Sequence, residues 1–101
     1  MTAKDSEAFI VTRDGSEAPS LAVLNDERQL LTVIVDNDNR DIYLEFSTRQ
    51  ALRDFALSLL QEATFGESGR KEFYPLVVEG KALVVEGVRL KEGSSRIFVS
   101  Y

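Results

Sequence analysis

Only one stretch of this chain, Ala51 to Ala63, carries the spacing of an amphipathic helix, and that limits the fold to a single helix packed against strands. Its apolar residues Ala51, Leu52, Phe55, Ala56, Leu59, Leu60 and Ala63 recur at three- and four-residue steps, forming one stripe that has to face a sheet. Just before it, Ile42, Leu44 and Phe46 alternate with Tyr43 and Glu45 at the period of a strand, so strand runs directly into helix. Ser47 stands where an N-cap is needed, and Gln50 three residues later completes a capping box. Gly66 supplies a stop, and the helix is expected over 48–64.

Everything else reads as strand and turn. Short apolar runs at 9–12 and 21–24 are separated by Asp14-Gly15 and Pro19, which punctuate turns. The run 30–35 is β-branched and apolar on both alternations, as in a strand buried on two faces. Residues 36–41 then form a turn leading to Ile42, which predicts a hairpin. The segment 65–72, with two glycines and four charges, is expected to be a mobile loop. The string Leu-Val-Val-Glu-Gly occurs twice, at 76–80 and 83–87. Seven residues is too short for a solenoid repeat, so a hairpin is expected, with Gly80-Lys81 at the centre of a type II′ turn and Val78 opposite Leu83. A last strand follows at 96–101 after a turn around Gly93. The fold class is α+β: a curved, mainly antiparallel sheet of six to seven strands with one amphipathic helix on one face, in a single domain spanning 1–101.

The 101 residues include no histidine and no cysteine. That removes the side chain whose ordinary pKa lies in the physiological range, together with the strongest nucleophile and soft-metal ligand, and it rules out disulfides. A non-enzymatic domain with no cofactor is expected. The start of the chain lacks the basic and apolar regions of a secretory signal, and no run approaches the roughly 18 apolar residues of a membrane span. A cytoplasmic protein without membrane association is the expectation.

Charge is uneven. Residues 1–50 carry five basic and ten acidic side chains, whereas 51–101 carry seven of each, so the net −5 lies entirely in the first half. Such a balance disfavours nucleic-acid backbones and would steer a basic protein partner toward the acidic half.

Asp36, Asp38 and Asp41 are the nearest approach to a hard-metal cluster, but Arg40 and Asp41 stand where an EF-hand would place Asp or Asn and then Gly. Asp and Asn favour turns for their own reasons, and a metal-free turn is the expectation. Gly66, Gly69 and Lys71 fail the phosphate-loop spacing, and no nucleophile signature such as Gly-x-Ser-x-Gly is present. Aromatic residues on a sheet can anchor a partner, and Leu57 is the one large apolar residue off the helix stripe, on a face with Gln50, Arg53, Asp54 and Gln61. Asp36, Asp38, Asp41, Tyr43, Leu57 and Tyr74 are therefore the candidate partner-binding residues. One helix covers only one side of a small sheet, while 30–35, 76–78 and 83–85 are apolar on both faces, which predicts a homodimer or a strongly curled sheet.

The run Ile42 to Gln61, the glycine-containing loop after it, and the closing pattern Leu90-Lys91-Glu92-Gly93-Ser94-Ser95-Arg96-Ile97-Phe98-Val99 resemble short bacterial immunity-type proteins of polymorphic toxin systems. The resemblance spans roughly the second half of the chain. Members often carry histidine in the strand after the helix, where this chain has Phe73-Tyr74-Pro75-Leu76, so no functional residue is carried over. The resemblance implies a cytoplasmic protein that binds and neutralises a toxin domain, and surplus acid would suit a basic toxin. The alternative is a small-ligand binding or sensing domain with an apolar pocket between helix and sheet.

Overall fold

A computed structural model describes residues 10–15 and 18–101. Its elements run α1 (Leu21–Leu24), β1 (Leu31–Val35), β2 (Ile42–Phe46), α2 (Arg49–Phe65), β3 (Arg70–Phe73), β4 (Leu76–Val78), β5 (Lys81–Val85), β6 (Val88–Arg89) and β7 (Ile97–Ser100). The class is α+β with seven strands among the described residues, but they form several small antiparallel sheets instead of one curved sheet. β1 pairs with β2, β3 with β7, and β4, β5 and β6 make a meander. Pro75 lies in the two-residue break between β3 and β4, where its missing N–H ends the ladder. β6 is only two residues long.

Leu31, Val33, Phe55, Phe73, Val88 and Leu90 make the core, with Phe46, Leu59, Ile97 and Val99 packed around them. Phe55 stands between Phe46 and Phe73, with ring centroids 5.5 and 5.0 Å away. α2 thus sits on the face of the β1–β2 pair that carries Leu31, Val33 and Phe46. The expectation that the first strand is buried on both faces is not met: Leu31 and Val33 are buried on one face, whereas on the other Leu30 and Thr32 are only half-buried and Ile34 is exposed.

The cap lies one residue later than expected. Thr48 is the N-cap and its hydroxyl accepts the Ala51 N–H at 3.1 Å, while Ser47 closes the strand pair: its N–H donates to the Leu30 carbonyl and its hydroxyl accepts the Leu30 N–H. Gln50 donates to Asp54 instead of turning back onto the cap. Gly66 ends the helix as expected.

The helix stripe is split. Ala51 and Phe55 are buried and Leu59 is half-buried, yet Leu52, Ala56, Leu60 and Ala63 face outward. On the opposite flank Asp54 and Ser58 are buried instead. Asp54 accepts bonds from the Ser20 N–H and hydroxyl, and Ser58 donates to the Glu86 carbonyl, so polar groups are buried where they satisfy neighbouring loops.

Residues 21–24 form one helical turn and not a strand, because Ser20 caps them by accepting the Val23 N–H, and only Val23 is buried. Of the expected strand at 9–12, Phe9 lies outside the described residues and 10–12 form no strand. The expected loop at 65–72 is shorter, since β3 begins at Arg70. The repeated string encodes two successive turns: Glu79-Gly80 and Glu86-Gly87 have positive φ at both residues, the type I′ pattern, and join Val78 to Lys81 and Val85 to Val88. Type II′ at Gly80-Lys81 was one residue off, because Glu79 adopts the left-handed conformation and Leu83 pairs with Leu76.

Candidate functional site

The β1–β2 hairpin leaves a run of apolar side chains open. Ile42, Tyr43 and Leu44 are 65, 45 and 42% exposed, and Ile34 and Val35 across the pair are also exposed. The register explains why this surface can act. Asp36 N–H donates to the Asp41 carbonyl at 2.9 Å and Ser47 N–H to the Leu30 carbonyl at 3.0 Å, so residues 41, 43, 45 and 47 turn their backbone groups toward β1. Those of Ile42, Leu44 and Phe46 point the other way. β1 uses its own outward groups: the Leu31 carbonyl accepts from Lys91, the Val33 carbonyl accepts from Ser95, and the Val33 N–H donates to Ser94. The pair is therefore closed beside β1 and open beside β2, whose only strand neighbour among the described residues is β1.

Four of the six sequence candidates meet here. Asp36, Asp38 and Asp41 lie in the connecting turn, where the Asp36 carboxylate accepts the Asp38 N–H and the Asn39 side chain accepts the Asp41 N–H. These are turn-making bonds. Tyr43 on β2 places its hydroxyl 3.4 Å from the Asp41 carboxylate. With Arg40 and Glu45, the tip 36–45 carries four acidic and one basic side chain, a net −3. Among the described residues no three potential metal-ligating side chains converge.

Leu57 and Tyr74 lie elsewhere. Leu57 is half-buried and lines a groove of about 320 Å³ on the outer side of α2 with Leu52, Ala56 and Leu60, bordered by Arg49 and Arg53. Asp54, which the sequence grouped with it, is buried on the other flank. Tyr74 follows β3 and sits 5.5 Å under the Arg96 guanidinium, which also lies over Phe98 and pairs with Glu72 at 3.0 Å.

Two buried cations escaped the sequence reading, because their partners come from distant segments. The Lys71 ammonium pairs with Glu86 at 3.0 Å and Glu62 at 3.8 Å, and the Tyr101 hydroxyl donates to Glu62 in turn. That contact pushes the Tyr101 hydroxyl's pKa above its ordinary value, since its ionised form would face a carboxylate. Lys71 thereby ties β3 to α2 and to the Glu86-Gly87 turn. Arg89 is the second, with its guanidinium held by backbone carbonyls. On the surface, Arg28 grips Asp26 through Nε and Nη2 at 2.9 and 3.1 Å and pulls the Asp26 carboxyl's pKa down to about 2.

No protein-family model, curated protein or solved structure matches the chain. Among the described residues no helix is long and apolar enough to cross a membrane.

Proposed function

We propose that this chain is a non-enzymatic protein-binding domain that accepts a partner strand along β2. The observation behind this reading is the row of outward N–H and C=O groups on Ile42, Leu44 and Phe46, flanked by exposed apolar side chains. Strand addition to such an edge draws its affinity from main-chain hydrogen bonds and its selectivity from alternate side chains. The acidic tip selects a segment that carries basic residues. In an immunity-type protein that segment would belong to the toxin domain.

In the isolated chain the accepted strand is β2 of a second copy. An antiparallel pair centred on Leu44 against its own counterpart sets Ile42 against Phe46 and Tyr43 against Glu45. Such a two-fold pairing also places both α2 helices on the same face of the joined sheet.

A synthetic extended peptide that alternates valine with lysine tests strand acceptance. In an NMR titration, the backbone amide signals of Ile42, Leu44 and Phe46 should move most, and the same peptide with glutamate for lysine should bind more weakly. Equal binding of both peptides, or shifts centred away from β2, would contradict the reading.

A further inference from the structure

Arg89 is 6% exposed and bears a charge that no described carboxylate neutralises. Its Nη1 donates to the carbonyls of Val23, Asp26 and Gln29 at 2.9, 2.9 and 3.0 Å, and its Nε donates to the Ala82 carbonyl at 3.1 Å. Carbonyl dipoles satisfy those donors and leave the net charge in place. The buried carboxylate of Asp54 is taken up by Ser20 and Gln50.

Nη2 makes no hydrogen bond among the described residues and is not fully sealed from solvent. In a guanidinium it shares one edge with Nε, and Nε here faces Ala82. Arg28 uses the same edge, Nε with Nη2, to grip the Asp26 carboxylate. Ala82 and Arg89 line a cleft of about 400 Å³ together with Lys81, Leu24 and Leu83. Lys81 is exposed and makes no ion pair among the described residues, while Leu24 and Leu83 present exposed apolar side chains. The cleft therefore offers the unused N–H groups of Arg89 Nη2, an exposed ammonium and an apolar wall. Its volume lies within the usual range of small-molecule sites.

We infer that this cleft binds a small organic monocarboxylate whose acid group meets Nη2 of Arg89 and the Lys81 amine and whose apolar tail lies on Leu24 and Leu83. Asp26, Glu27 and Arg28 also border the cleft; Arg28 pairs with Asp26, and the carboxylate of Glu27 disfavours a dianion such as phosphate. The site is separate from the β2 edge and stands independently of the protein-binding proposal.

NMR titration of the whole chain with 4-methylpentanoate, acetate, 4-methylpentanamide and inorganic phosphate tests the inference. The expected result is saturable binding of 4-methylpentanoate with a dissociation constant on the order of 1 mM, shifting the Arg89 side-chain signals and the amides of Lys81, Ala82 and Leu83. Acetate should bind more weakly, and the neutral amide and phosphate weaker still. Arg89 holds the loop before β1, so its substitution risks unfolding; the exposed Lys81→Gln variant should weaken 4-methylpentanoate about two- to fivefold with an unchanged melting temperature. Binding of the amide as tight as that of the acid, tighter binding of phosphate, or no shift at Arg89 would each overturn the assignment.

Discussion

Single side chains here often act as links between segments far apart in sequence. Arg89 binds carbonyls on both sides of α1's exit and on β5, and Lys71 joins β3 to α2. Tyr101 closes the last of these contacts through Glu62, and its behaviour with pH follows from the geometry. Its pKa in the folded chain is raised, because the hydroxyl donates to a carboxylate that would repel the phenolate. The contact's contribution to stability is complete below the ordinary tyrosine pKa of about 10 and is lost as pH rises through the raised value. Ultraviolet titration of the three tyrosines should show one component ionising late, and Tyr101→Phe should remove that component. Loss of an early component instead would mean that the Glu62 contact does not form in solution.

Among elements, the strand-to-helix junction gives the sharpest comparison between sequence and structure. Sequence spacing located α2 to within a residue at each end, because apolar periodicity is set by the helix itself. It points to Ser47 as cap, but Thr is a good cap as well, and only the register of β1 against β2 decides which hydroxyl is free. The two variants should separate the roles. Thr48→Ala should cost about 1 kcal/mol and speed amide exchange in the first turn of α2. Ser47→Ala should loosen the Leu30 end of the hairpin and leave the helix amides unchanged. Faster helix exchange in Ser47→Ala would return the cap to Ser47. The same limit governs the site. Turn composition and alternation were enough to bring Asp36, Asp38, Asp41 and Tyr43 together on one hairpin. The openness of the β2 edge depends on residues 90–95 occupying the far side of β1, a contact more than fifty residues away in sequence. Leu57 stands out in the sequence by lying off the helix stripe and Tyr74 by its aromatic ring, and the fold places them on other surfaces.

At the scale of the whole molecule, one main helix and several small sheets leave apolar surface on the hairpin and on the outer flank of α2. A curled single sheet would have hidden it, and the strands do not form one. In the proposed pairing, β2 completes its ladder with a strand from another chain. Five-residue strands bury little area, and interfaces well below about 1,200 Å² are weak, so the dimer should dissociate on dilution. Leu44→Pro removes an outward N–H and spares the bonds to β1, a substitution that edge strands tolerate. Sedimentation of the purified chain over a wide concentration range, alongside Leu44→Pro, tests that pairing. The native chain should move from its 11.3 kDa monomer mass toward twice that value as concentration rises, while a folded Leu44→Pro variant stays monomeric. A native chain that remains monomeric throughout, or a variant that dimerises as well as the native chain, would contradict it.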